Sequence, residues 1–253
     1  MITKESLNQR PLSYSSLKEF AKSPAHYIEY LRKEREPSKE MLFGSMIHCL
    51  LLTPQLFEDQ FAVMANVDKR TKEGKLAYEK FVADAIGKDV VAEQDYDDAN
   101  NLVNKVITQS HITDLIKNCN VFEEEWKADI DGLPFRGFYD GVADDYILEI
   151  KTTSDGNPRT IINDFYNRQY HIQAGLYHKA SGSKPIKYVI IETKAPYNIY
   201  VADSEQAYLD YGINQFSSLI DKFKECLHNN LWDMGYDFHT GGNITIGLPS
   251  WVK

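Results

Sequence analysis

Apolar and polar positions recur along this chain with two different periods, and the change falls near residue 118. Before it the spacing is helical. Leu17, Phe20 and Ala21 follow the hydroxyl-rich stretch from Ser13 to Ser16 at three- and four-residue intervals. Ser23 then caps a restart with Pro24 at the first helical position, and Ala25, Ile28, Tyr30 and Leu31 give that segment its apolar side. Together these predict helix across residues 13–35, followed by a charged connector from Arg32 to Lys39. Met41 to Leu52 is almost wholly apolar and predicts a further helix, on which Gly44 and His48, four apart, share one face. A short helix is expected after Thr53-Pro54. Residues 64–76, with Lys69, Arg70, Lys72 and Lys75, read as a solvated basic loop. Residues 76–118 predict two or three amphipathic helices, with breaks at Gly87-Lys88 and from Gln109 to Ile112.

Beyond residue 118 the period shortens to two. Residues 120–128 predict a strand entering a turn at Asp131-Gly132. Phe135 to Asp140 and Ile147 to Thr153 predict two strands joined by a turn at Asp144-Asp145. The helical period returns over residues 160–181, where Tyr166, Tyr170, Gln173 and Tyr177 form one stripe. Lys187–Thr193 and Asn198–Ala202 predict paired strands about a turn at Ala195-Pro196-Tyr197. Ser204 is expected to cap a long helix reaching about His228, with Phe216, Leu219, Phe223 and Leu227 on its apolar side. The ending at Leu248-Pro-Ser-Trp251 is apolar enough to dock. The expected architecture is α/β (α+β): a mixed central sheet flanked by helices, in one domain over 1–253. Residues 1–118 form a mostly helical elaboration, and 119–253 hold the sheet core.

Composition narrows the class without deciding it. A chain of 253 residues with 43% hydrophobic content can bury a full core. The net charge of −9 argues against a general nucleic-acid coat protein, which should be basic. It leaves room for an enzyme with a locally basic groove, and the basic stretch at 64–76 could contact a polyanion. The three cysteines are widely spaced and predict neither a disulfide framework nor a zinc site. No signal-peptide pattern and no membrane-length apolar run is seen, so a cytoplasmic protein is expected.

The candidate chemistry sits in the 135–153 hairpin. Residues two apart on a strand share a face. Glu149 and Lys151 therefore project with Ile147, while Leu148 and Ile150 face the other way, and the hairpin can bring Asp140 beside Glu149. Two carboxylates and an ammonium at a sheet end suit metal-assisted phosphodiester hydrolysis: oxygen ligands hold a hard cation, and the lysine handles a water or developing charge. The competing reading is a surface ion pair. His48 reads as a core histidine or as a ligand entering from a buried helix. Gln173 and Tyr177 could together hold a phosphate oxygen or a water. Glu123 and Glu125 share a face and read as solvated, with an outer site carboxylate as the alternative. Arg136, Arg159 and Arg168 are candidate phosphate contacts.

Four ordered pieces resemble the PD-(D/E)XK nuclease superfamily: the Gly44 to Leu52 segment with His48, Asp140 at a strand end, Glu149-Ile150-Lys151-Thr-Thr153, and Gln173-Ala-Gly-Leu-Tyr177; Ser23-Pro-Ala-His26 and Leu248 to Trp251 add to a closer resemblance. That closer resemblance is to the exonuclease VIII (RecE-like) C-terminal nuclease domain of phage and prophage recombination systems, over about residues 12–253. It implies a restriction-endonuclease-like core and a magnesium-dependent 5′→3′ exonuclease on double-stranded DNA ends, with manganese as an alternative ion. It further implies 3′ tails for a single-strand annealing partner, a homo-oligomeric ring, and a bacterial cytoplasm. By the same resemblance Asp140, Glu149, the Ile150 carbonyl and His48 would bind metal, Lys151 would assist the water, and Gln173 and Tyr177 would shape the site. Gly137-Phe-Tyr-Asp140 lacks the usual proline before the aspartate. The other readings are an endonuclease on the same fold and a silent DNA-end binder. A four-cysteine iron–sulfur branch is excluded by the cysteines.

Overall fold

The computed structural model describes residues 7, 9–33, 36–65, 67–68 and 70–247. The apolar ending at Leu248 to Trp251 and Lys69 of the basic stretch lie outside them, as do Glu34 and Arg35 of the connector. The first two helices are α1 (Tyr14–Phe20) and α2 (Pro24–Arg32), each started by a serine side chain that accepts a backbone N–H: Ser13 from Ser16 and Ser23 from His26. Helix α3 (Lys39–Leu52) follows, then a 3₁₀ turn (Pro54–Leu56) and a short α4 (Phe57–Gln60). The region up to Lys117 then holds β1 (Phe61–Met64), α5 (Lys72–Asp84), β2 (Asp89–Ala92), α6 (Glu93–Ile107) and α7 (Ser110–Lys117). Strands β1 and β2 pair in parallel as a small separate sheet. Sequence patterning missed both, because each is four residues long and offers no run of alternation. The basic stretch is likewise only partly a loop, since α5 begins inside it.

The main sheet runs β3 (Cys119–Ile130), β4 (Leu133–Ala143), β5 (Ile147–Thr153), β6 (Ile186–Glu192) and β7 (Ile199–Asp203), in that spatial order. All pairs are antiparallel except β5–β6, so the sheet is mixed. The β3–β4 turn places Asp131 and Gly132 both at positive φ, 54° and 79°, which suits a two-residue hairpin. The parallel step needs a crossover, and α8 (Pro158–Asn167) and α9 (Tyr170–Ala180) supply it. Helix α10 (Gln206–Asn229) and a short α11 (Asp237–Thr240) complete the described chain.

Alternation along β5 and β6 divides the interior in two. Ile147, Tyr188 and Ile190 enter one core with α1, α2, α9 and α10, through Phe20, Tyr27, Leu176, Phe216 and Phe223. Leu148, Ile150, Val189 and Ile191 enter the other with α3 and α6, through Ile47, Leu51, Leu102 and Val106. The helical N-terminal part thus covers both faces of the sheet. It also adds to the sheet, where Leu12 pairs with β4 on its free stretch and exchanges backbone hydrogen bonds with Pro134 and Arg136 at 2.8 Å each.

Two expectations for the helices are corrected. The single helix over 160–181 is two, broken at Gln169, which sits at φ 62°. Tyr166 therefore leaves the stripe and is 60% exposed, while Gln173 and Tyr177 are buried. Ser204 does not cap the long helix: Glu205 holds the cap position without a side-chain bond, and the Ser204 hydroxyl binds the Ile186 carbonyl. Helix α9 is set by glycine. A Cβ on Gly175 would lie 2.6 Å from the Gly212 carbonyl, and one on Gly212 would lie 1.9 Å from the His171 oxygen, so α9 and α10 cross backbone to backbone.

Candidate metal centre

Strands β4 and β5 pair only at Gly141–Leu148 and Val142–Ile147. Beyond those pairs they part, and the Asp140 carboxylate takes the ladder's place: its Oδ2 accepts from the Ile150 N–H at 2.6 Å. Its other oxygen turns toward α3, where Oδ1 lies 3.5 Å from His48 Nδ1. Helix α3 can come this close because residue 44 is glycine, and a Cβ there would already be 3.3 Å from the Thr152 hydroxyl of β5. His48 is thus no mere core histidine. It faces the carboxylates.

Glu149 and Lys151 point from β5 into the first core's side of the sheet. The reading of a surface ion pair is corrected, because the Glu149 side chain is 2% exposed and that of Lys151 13%. Glu149 Oε2 accepts from Lys151 Nζ at 2.7 Å and from Gln173 Nε2 at 3.2 Å. Glu149 Oε1 is buried with no partner. Tyr177 Oη donates to the Phe138 carbonyl at 2.9 Å, two residues before Asp140. The donors of Gln173 and Tyr177 are therefore engaged in fixing the carboxylate and the strand that carries the site.

Glu123 also reaches this place, against the expectation of a solvated face. On β3 its neighbours Phe122 and Glu124 pair with Gly141 and Tyr139, which brings Glu123 beside Asp140. Its backbone stands at φ 50°, and Glu123 Oε1 lies 3.8 Å from His48 Nδ1. No sequence signal separates it from Glu125, which pairs with Lys127 at 3.2 Å instead. Arg136 and Arg159 are exposed and apart from these contacts. Arg168, also exposed, lines a small cavity with Lys151, Asp164, Phe165 and Tyr170.

The charges are mutually dependent. Burial, then the neighbouring Asp140 charge, pushes the Glu149 carboxyl up to about 7. Burial would lower Lys151, yet Glu149 and Asp140 hold it well above its ordinary value. Burial opposes the charged form of His48 too, and Asp140 overrides it, raising His48 to about 10. Asp140 is held low against its burial by His48 and Lys151 and by the Ile150 N–H.

These residues suit a divalent cation on their own geometry. One ligand atom each from His48, Glu123 and Asp140 lies within 4.8 Å of the others. The 3.5 and 3.8 Å separations exceed ordinary hydrogen bonds. They are the roughly 3–4 Å spacing that ligands take around one small cation bound at about 2.1 Å. The orphaned Glu149 oxygen adds an acceptor that burial leaves costly unless something positive meets it.

A mixed sheet flanked by helices, with Asp140 at a parted ladder and Glu149-Ile-Lys151 on the next strand, defines a PD-(D/E)XK-type fold. Residues 13–235 match the family described as a PDDEXK-like domain of unknown function (DUF3799), and the chain belongs to that family. Among solved structures, it resembles a protein from Eubacterium rectale provisionally named an exonuclease. That match has 13% identity and a TM-score of 0.63, covering 98% of this chain and 93% of the other. At that identity the likeness concerns the fold. A second structure, SSO0001, matches at 14% identity over 79% of this chain and 86% of its own, with a TM-score of 0.31, too low to carry weight. No curated protein sequence matches the chain. Among the described residues no helix is long and apolar enough to cross a membrane.

Proposed function

We propose that this protein is a divalent-metal-dependent deoxyribonuclease that resects double-stranded DNA ends 5′→3′, leaving 3′ single-stranded tails for strand annealing. The observation that carries the hydrolytic reading is the buried Glu149 carboxylate. One of its oxygens is held by Lys151 and Gln173 and the other has no partner, next to Asp140. A structural ion pair has no use for that open oxygen. His48, Glu123, Asp140 and Glu149, with the Ile150 carbonyl, would hold magnesium or manganese. When bound, the ion polarises a phosphate and lowers the pKa of a bound water. Lys151 donates from its ammonium toward the attacked phosphate or the incoming water, and Gln173 and Tyr177 keep Glu149 and β4 in place. The exonuclease polarity, the annealing partner and a ring-shaped homo-oligomer rest on the resemblance to exonuclease VIII-like domains.

The test is digestion of linear duplex DNA, labelled at the 5′ or the 3′ end, beside a closed circle, with magnesium. The proposal expects early release of 5′ label, late release of 3′ label, and an intact circle. A nicked or linearised circle would move the assignment to an endonuclease on this fold. Absence of cleavage with magnesium or manganese would overturn the nuclease reading and leave an end-binding protein.

A further inference from the structure

Four aromatic rings from three helices meet at the surface, and the chemistry above uses none of them. Tyr166 ends α8, His171 opens α9, and Tyr208 and Tyr211 lie in the first turns of α10. The Tyr166 ring stacks on His171 at 5.5 Å and 23°, and lies 6.5 Å and 28° from Tyr211. His171 packs against Tyr211 at 5.0 Å and edge-on to Tyr208 at 6.2 Å. His171 is buried, yet Tyr166 and Tyr211 remain 60% and 41% exposed. The outer tyrosines are thus held by their neighbours while presenting ring to solvent.

The surroundings favour a nucleic-acid strand. Along α8, exposed Arg159, Ile162 and Tyr166 follow at i, i+3 and i+7, one helical face, with Ile162 68% exposed. Arg168, two residues past Tyr166, lines a small cavity with Lys151, so the segment that carries Tyr166 also reaches the candidate active site. Guanidinium groups for phosphate next to fixed aromatic faces are the elements that bind unpaired nucleotides without regard to sequence. A packing role alone would account for buried His171 and Tyr208. It does not account for Ile162 and Tyr166, one turn apart on α8, which leave adjacent apolar surface in water.

We propose that Tyr166 and Tyr211 form a stacking platform for an unpaired base of the DNA strand, with Arg159 and Arg168 contacting its phosphates. This rests on the nuclease reading and adds to it a binding site for single-stranded DNA. Stacking needs a base, whereas phosphate contact does not, and that difference supplies the test.

Binding is measured by fluorescence polarisation in calcium, without magnesium. The two probes are a duplex with a single-stranded tail and the same duplex with an abasic tail. A stacked base is worth about 1–3 kcal/mol, so Tyr166→Ala should weaken binding to the normal tail about tenfold. The abasic tail should already be weak for the wild type and unchanged by the substitution. Tyr166→Phe, which keeps the ring, should behave as wild type. Thermal unfolding of each variant separates loss of the platform from loss of fold. If Tyr166→Ala and Tyr211→Ala fold and bind both tails as the wild type does, or weaken both equally, the platform is wrong. Wild type that cleaves linear duplex in magnesium but does not distinguish the tails would overturn the platform alone. Wild type that neither binds nor cleaves DNA would overturn the platform and the nuclease reading together.

Discussion

Two glutamates are buried on adjacent parallel strands of the main sheet, and they are built for opposite ends. Glu192 of β6 is 5% exposed, and both its oxygens are engaged. Oε1 accepts from the Gly156 N–H at 2.7 Å, and Oε2 from the Asn198 N–H and side-chain amide at 2.9 and 2.8 Å. Those backbone donors hold its carboxyl below the ordinary value. Glu149 of β5, equally enclosed, has one oxygen held and one left open, and burial and Asp140 push its carboxyl up. A carboxylate that ties loops together is saturated by the fold. The carboxylate proposed to meet a metal is fixed at one oxygen and left unsatisfied at the other.

Activity should separate the two most sharply. Glu149→Ala and Lys151→Ala should each lower single-turnover DNA cleavage by about 10²–10³-fold or more, since the first removes a proposed metal ligand and the second an ammonium directed at the reacting phosphate. Glu192→Gln should leave cleavage per folded molecule near wild type while lowering Tm. Cleavage by Glu149→Ala within a few-fold of wild type would dissolve the contrast.

Metal affinity is the next effect. Glu123→Gln and His48→Gln should weaken manganese binding by about tenfold, the scale of altered metal surroundings, with cleavage partly restored at high manganese. Glu125→Gln, outside the cluster, should bind as wild type. Equal behaviour of the 123 and 125 variants would return Glu123 to the solvated face its sequence suggested.

The smallest effect is on metal-free stability as pH changes, where the glutamates carry opposite signs. Glu149 has a folded value near 7, above the unfolded one, so its contribution is present at pH 4 and is lost as pH rises toward 7. His48, raised to about 10, loses its contribution between about pH 6.5 and 10 in the same direction. Glu192, held low, contributes above its unfolded value and loses that as pH falls through its folded value. Denaturant unfolding in chelator should therefore show wild type losing stability from pH 5 to pH 9. Glu149→Gln should flatten the pH 5–7 part, and Glu192→Gln should flatten only the acid limb. Magnesium should stabilise more at pH 8 than at pH 6, because its ligands must shed protons first.

Local signals in the chain were enough to place much of this site. The strict alternation of Ile147 to Lys151 assigns Glu149 and Lys151 to one face and Leu148 and Ile150 to the other, as the two cores display. Serine caps and the Asp131-Gly132 turn mark element ends because their geometry is written within four residues. What stayed hidden depends on partners distant in sequence. Glu123 and Glu125 look alike until β4 arrives beside them and a left-handed backbone turns one toward His48. The break at Gln169 lacks glycine or proline, and the helical period runs through it. The Gly175–Gly212 contact, which sets α9 and with it Gln173, joins helices 37 residues apart in glycines that read singly as weak breakers.

The most direct measurement is a calorimetric titration of manganese into metal-free protein, comparing wild type, Glu149→Gln and Glu192→Gln. Saturable binding by wild type and by the Glu192 variant, lost in the Glu149 variant while its fold persists by circular dichroism, is the predicted result. Binding by Glu149→Gln at wild-type affinity would contradict the account, since the open oxygen would then be no part of a metal site.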